Sequence, residues 1–190
     1  MSIARDAALR AFIPHVGPRD VVVAVYQTNF DWIALNPRPL NYVAVGAMGQ
    51  ALSHGLGLAL AHPDRKIFVF DGDGSLLMNL GALVTTAGAN VANLSHFVFV
   101  NRTYEVNGGH PIPNAKAVDF AGFAEAAGFP SVFRQSEEAV LIDTLPKLLA
   151  TPGPRFCALE VHAGAPYPRD YSYIHGAAAR QAFAEALRTT

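Results

Sequence analysis

The sequence predicts an α/β fold, a doubly wound and mostly parallel sheet with helices on both faces. Three observations predict it. Runs of β-branched and aromatic residues recur along the chain: VVVAVY (21–26), IFVF (67–70), HFVFV (96–100) and FCALEV (156–161). They are continuously apolar rather than alternating, the pattern of strands covered on both faces. The gaps between them hold helix-length segments, several closed by a glycine. Strand and helix in repetition imply right-handed crossovers, with ligands bound at the carboxyl ends of the strands.

The elements follow in order. After the strand at 21–26, NYVAV (41–45) gives a shorter strand just ahead of Gly46. A helix is expected over 48–61, where Leu52, Leu56 and Leu60 recur at every fourth position. IFVF is followed by a helix over 76–90, with Gly88 near its end, and HFVFV by a helix over 119–127 stopped at Gly128. PSVFR (130–134) is a further strand. Ser136 is the expected N-cap of a helix reaching about residue 150. FCALEV and, beyond the Pro- and Tyr-rich APYPRDYSY, a helix over 177–187 complete the chain. No linker or internal repeat interrupts it. Residues 1–190 read as one domain, with a core of about 21–162 and a C-terminal tail and helix over 163–190.

Composition narrows the function. Hydrophobic residues make up 51% and charged residues 15%, a lean charged surface of which a part is expected to lie under a partner. Fourteen basic and fifteen acidic residues nearly cancel, without the basic stripe of a nucleic-acid binder. One cysteine, Cys157, excludes an internal disulfide and any multi-cysteine metal site, and reads as a small buried apolar residue. The N-terminus lacks the apolar core of a signal peptide. The stretch 43–61 is long enough for a membrane span, but Gln50, Ser53, His54 and its glycines fit a loop and a packed helix better. A cytoplasmic location is expected.

The chemistry concentrates in IFVFDGDGSLLMNLGAL, a buried strand running into a Gly-rich turn and a helix. Gly72 and Gly74 suit close approach of the backbone to a ligand. The amides of Gly74 and Ser75 are placed to favour a phosphate at a helix N-terminus. Asp73 between the glycines would repel a bare phosphate, so a hard cation bridging the two is the chemically consistent occupant. An ordinary Asp-Gly turn is the alternative reading of this string taken alone. A 26-residue spacer, residues 75–100, then leads to Asn101, a neutral oxygen ligand closing the next strand. One strand–helix–strand unit thus brings Asp73 and Asn101 to neighbouring strand ends, as a magnesium site with few protein ligands requires.

A Gly-Asp-Gly, some two dozen residues and an Asn closing a strand resemble the signature of thiamine diphosphate-dependent enzymes, specifically their diphosphate-binding domain, over about residues 21–161. The resemblance implies thiamine diphosphate and Mg2+ as cofactors. Asp73, the side chain of Asn101 and the backbone carbonyl of Thr103 would be the metal ligands. Val100 departs from the family's usual pair of asparagines at the first of the two, while the ligand is the second. In GAMG, Met48 stands where the family has a bulky apolar prop that bends the cofactor. The Gly46 carbonyl would accept from the cofactor's aminopyrimidine amine, with Ala47 alongside. Thr28, Asn29 and Tyr104 are further candidate cofactor contacts.

The family places the cofactor between two domains, the second supplying a glutamate that activates it. No glutamate of this chain can be assigned that role, and the segment before Val21 is too short for a second domain. The expectation is therefore one subunit of a split enzyme, a hetero-oligomer such as α2β2 whose pyrimidine-binding partner carries the activating glutamate. NYVAVGAMGQALSHGLGLALAHPDRKIFVFDGDGSLLMNLGAL and NRTYEVNGGHPIP are most similar to the phosphonopyruvate and sulfopyruvate decarboxylase branch, the β subunit of the latter in particular. That implies decarboxylation of a small anionic 2-oxo acid to an aldehyde. His110 stands where this branch usually has Gln. Glu105 and His110 are candidate catalytic groups, and Arg102 a candidate for an anionic substrate group. His54 is expected to pack, and Tyr167, Tyr171 and Tyr173 either to meet a partner or to fold back. The alternatives are a β subunit of a 2-oxo acid:ferredoxin oxidoreductase, an acetolactate synthase-like carboligase, or a non-catalytic cofactor-binding module.

Overall fold

The computed structural model describes residues 2–44 and 48–189. Its strands are β1 (Ile3–Ala4), β2 (Val21–Val25), β3 (Asn41–Ala44), β4 (Ile67–Gly72), β5 (Leu94–Val100), β6 (Thr103–Tyr104), β7 (His110–Pro111), β8 (Ser131–Gln135) and β9 (Arg155–His162). Its α-helices are α1 (Arg5–Phe12), α2 (Tyr26–Leu35), α3 (Ala51–Ala61), α4 (Asp73–Leu77), α5 (Gly81–Ala89), α6 (Phe120–Ala127), α7 (Glu138–Ala150), α8 (Tyr171–His175) and α9 (Ala177–Thr189). The main sheet runs β3-β2-β4-β5-β9, with β8 and then β1 pairing successive stretches of the outer edge of β9, and its pairings are all parallel. The predicted α/β architecture is the one observed.

Each central strand splits its side chains between two layers, because successive residues face opposite ways. Val21, Val23, Val25, Ile67, Val69, Val98 and Val100 join one core cluster with α3, α5 and α6. Here the helices come close: a Cβ on Gly55 of α3 would lie 2.3 Å from the Val69 side chain. Val22, Ala24, Phe68, Phe70, Phe97 and Phe99 join the other, under α1, α2 and α7. That layer is aromatic, with Phe12 edge-on to Phe97 at 4.5 Å and Trp32 edge-on to Phe70 at 5.0 Å. Cys157 lies in this core, where burial pushes its thiol far above the usual range.

Several boundaries differ from the expected ones. The helix expected from residue 48 begins at Ala51, because residues 48–50 form a turn. The helix expected over 76–90 is two helices, α4 and α5, with turn hydrogen bonds at Met78 and Asn79 between them. Its end is set by Asn90 in a left-handed conformation rather than by Gly88. Gly128 does close α6 in that conformation, and Asp119 caps its start through the Gly122 amide. The N-cap of α7 is Glu137, not Ser136, and its side chain makes no capping bond.

The first twelve residues, for which no element was expected, contribute a strand and a helix: β1 adds to β9, and α1 packs on α2 and α7. At the other end, Phe183 of α9 packs on Tyr42 of β3, and Tyr167 folds back to Asp6 and Arg10 of α1. Tyr171 touches Phe30 but is exposed, as is Tyr173. His54 packs beside Tyr42. No helix among the described residues is long and apolar enough to cross a membrane.

Candidate functional site

The strand order reverses at β2. The chain leaves it outward to β3 and then returns past it to β4, which opens a crevice at the carboxyl ends of β2 and β4. A cleft lies there, lined by Val25 to Thr28 after β2, Met48, Gly72 to Ser75 after β4, Phe99, Asn101 and Thr103 to Val106 after β5, and Arg5 and Val161.

Asp73 is its buried acidic centre, 2% exposed. One carboxylate oxygen accepts the Gly74 amide at 2.8 Å and the other the Arg102 amide at 2.6 Å. Burial raises its pKa to about 6, with those amides opposing the shift. Around neutral pH the group is mostly ionised, and backbone dipoles rather than a bonded cationic side chain face it. Beneath the turn, Asp71 accepts the Gly72 amide and contacts buried His96 at 3.3 Å.

Asn101 directly follows β5, whose neighbour in the sheet is β4. Its Oδ1 accepts the Thr103 amide at 2.9 Å, and its Nδ2 donates to Glu105 at 3.0 Å. Arg102 takes a left-handed backbone, φ 65°, that turns the chain into the β6–β7 hairpin. Asp73, Asn101 and Thr103, each carrying oxygen donors, all lie on the wall of one cleft. With a buried, unneutralised carboxylate among them, this donor set fits a hard divalent cation.

The two glycines flanking Asp73 have different reasons. A Cβ on Gly72 would meet open space, whereas one on Gly74 would lie 2.6 Å from the Tyr104 ring. Gly74 is thus required by the hairpin, a packing role the sequence did not reveal. Ser75 Oγ accepts the Gly49 amide at 3.0 Å, and Asn79 Nδ2 donates to the Gly49 carbonyl at 2.9 Å. These bonds join the turn after Met48 to the turn after β4. Gly46 and Ala47 lie outside the described residues.

The remaining candidates are dispersed. Thr28 lines the cleft but donates its hydroxyl to the carbonyls of Val25, at 2.6 Å, and Phe70. Asn29 is buried on α2 and is not among the lining residues. His110 is exposed on β7, away from the lining. Arg102 sends its guanidinium to Glu160 at 2.6 Å and to the carbonyls of Ala115 and Val118. Both terminal nitrogens of its fork are taken by the protein, which leaves Arg102 a poor candidate for an anionic substrate group. Glu105 lines the cleft, clamped by Arg5.

Arg5, Tyr26 and Gln27 were missed. Tyr26 has φ 46° at the end of β2, a conformation few large residues adopt. Arg5 did leave a signal: it stands on one helix face with Ala8, Leu9 and Phe12, all buried. An arginine on an apolar stripe needs partners inside the fold.

Residues 23–159 match the family described as thiamine pyrophosphate enzyme, C-terminal TPP binding domain. The chain belongs to this family. A phosphonopyruvate decarboxylase of Streptomyces viridochromogenes is 37% identical over 84% of this chain and 40% of its own length. A sulfopyruvate decarboxylase subunit beta of Methanothermobacter thermautotrophicus is 37% identical over 69% of this chain and 67% of its own. The chain thus spans well under half of the first relative and two thirds of the second. A solved structure of a thiamin diphosphate-dependent enzyme from Mycobacterium smegmatis superposes with a TM-score of 0.70 over 84% of this chain and 32% of that one. At 18% identity it speaks for the fold of this thiamine pyrophosphate-binding chain.

Proposed function

We infer that this chain is the thiamine diphosphate- and Mg2+-binding subunit of a split 2-oxo acid decarboxylase of the sulfopyruvate or phosphonopyruvate kind. The observation that carries the reading is the placement of Asp73, buried and without a bonded cationic side chain, on one cleft wall with Asn101 at the adjoining strand end. Asp73, the side chain of Asn101 and the carbonyl of Thr103 hold the metal in this reading. Gly72 to Ser75, Thr28 and Tyr104 surround the diphosphate, and Met48, half-buried on the wall, props the cofactor. Once bound, thiamine diphosphate supplies the electron sink for decarboxylation.

The activating glutamate belongs to a partner subunit. Supporting this, Glu105, the glutamate among the lining residues, is already tied to Arg5 and Asn101. The full chain acts as one diphosphate-binding domain of a cytoplasmic heteromer, and the substrate is a small anionic 2-oxo acid.

The test is calorimetric titration of thiamine diphosphate with MgCl2 into the wild-type chain, Asp73→Ala and Asn101→Ala, with circular dichroism as the fold control. Both variants are expected to keep the fold and lose magnesium-dependent binding. Wild-type affinity in both would overturn the assignment.

A further inference from the structure

An asparagine used as a metal ligand presents two ends of similar shape and opposite character, and only the oxygen can bind a cation. In this chain both ends of Asn101 have partners that choose between them. At one end lies Glu105 Oε2, 3.0 Å from Nδ2. At the other lies the Thr103 amide, 2.9 Å from Oδ1. An ionised carboxylate accepts only and a backbone N–H donates only, so both contacts select the same orientation. Rotating the amide by half a turn would set oxygen against carboxylate and NH2 against N–H. In the selected orientation Oδ1 accepts one bond and retains a lone pair for a cation.

Glu105 is itself fixed. Arg5 donates to it from both terminal nitrogens, at 2.5 and 3.3 Å. The third guanidinium nitrogen of Arg5 donates to Asp31 at 2.7 Å, and Gln27 donates to the other Asp31 oxygen at 2.9 Å. Arg5 is 4% exposed and Asp31 fully buried, while Glu105 retains 28% exposure at the cleft. The ion pairs thus run from the interior to the cleft wall and end on the amide of Asn101. A cation needed only to neutralise Asp31 would not require the second, bidentate arm.

The geometry assigns to Arg5 a positioning role in metal binding: it clamps Glu105, whose carboxylate holds the Asn101 amide with its oxygen available to the cation. Glu105 is correspondingly a positioning residue and not a proton-transfer group. The assignment rests on Asn101 being a ligand, as in the function proposed above. It adds that α1, outside the span matched by the family, sets the affinity of that site.

Magnesium titrations of the full chain at saturating thiamine diphosphate, followed by calorimetry, test it on Glu105→Gln, Arg5→Lys and Arg5→Met, with thermal unfolding measured on each. Groups that orient metal ligands typically change affinity by about 10–100-fold when removed. A loss of that size is expected in Glu105→Gln and Arg5→Met. Arg5→Lys, which keeps the charge without the planar fork, should recover part of it. Arg5→Met with Glu105→Gln should cost no more than the worse single variant, since both break one chain of contacts. A purely structural Arg5 would lower the unfolding temperature and leave the affinity of the folded molecules unchanged. Folded Glu105→Gln that binds magnesium as tightly as wild type overturns the inference, and the metal site itself stands if Asp73→Ala still abolishes binding. Failure of the wild-type chain, alone and assembled with its partner subunit, to bind magnesium with thiamine diphosphate overturns both. If Arg5→Met does not fold, Glu105→Gln and Arg5→Lys decide.

Discussion

Two carboxylates on the wall of the same cleft, Asp73 and Glu105, are treated oppositely by the fold. Asp73 is the more deeply buried, yet its bonded donors are backbone amides. Glu105 is partly exposed and is gripped by a guanidinium fork. Desolvating a carboxylate is costly unless a cation accompanies it. The chain supplies that cation at Glu105 and none at Asp73, where the proposed function brings one from outside. Acidity and proximity alone would have ranked the two residues together, and their partners separate them.

The sharpest way to break this contrast is to remove the internal cation. Arg5→Ala leaves Asp31 fully buried without its ion-pair partner, a change that typically costs about 3–5 kcal/mol. Denaturant unfolding should show a loss of that order. A loss below about 1 kcal/mol would rank the cluster with exposed surface pairs.

The second effect concerns pH. The folded-state pKa of Asp73, about 6, lies above the ordinary 3.8, so the folded chain holds this proton more tightly than the unfolded chain does. Its contribution to stability is therefore present below pH 4 and lost as pH rises through 6, by about 3 kcal/mol at most. With a chelator present, the unfolding free energy of wild type minus that of Asp73→Ala should fall between pH 4 and pH 7. A flat difference would mean that Asp73 is not the desolvated group described.

The smallest effect probes where the two walls meet. Gly74→Ala pushes a methyl against Tyr104, next to Glu105, and overpacking of this kind costs about 1–3 kcal/mol. Adding Tyr104→Ala should relieve part of the cost of Gly74→Ala. Strictly additive losses in thermal unfolding would show that the hairpin yields without resistance.

The sequence made the sheet legible because strands buried on both faces are dominated by apolar residues, as 67–70 and 97–100 are. The placement of Asp73 and Asn101 at neighbouring strand ends was legible because one strand–helix–strand unit separates them. The break between α4 and α5 was not, because it depends on Asn79 reaching Gly49, thirty residues away in sequence. The partners of Arg102 were not legible either, because the carbonyls of Ala115 and Val118 and the carboxylate of Glu160 lie 13, 16 and 58 residues further along the chain. Arg5 stands on the apolar face of α1, but its role was not legible because its partners Asp31 and Glu105 lie 26 and 100 residues away along the chain. Residues that act through partners far along the chain leave little local trace.

The place of Arg5 bears on where this unit can be cut. A boundary drawn at residue 23, where the family match begins, or at the first long strand would discard β1 and α1. The truncated polypeptide would retain every proposed metal ligand. It would also strip the aromatic layer of Phe12 and leave Asp31 without its cation. Dissection, domain grafting and fusion designs should therefore keep the chain from Ile3 onward, since the shortest segment that carries the motif is not the shortest that can support it.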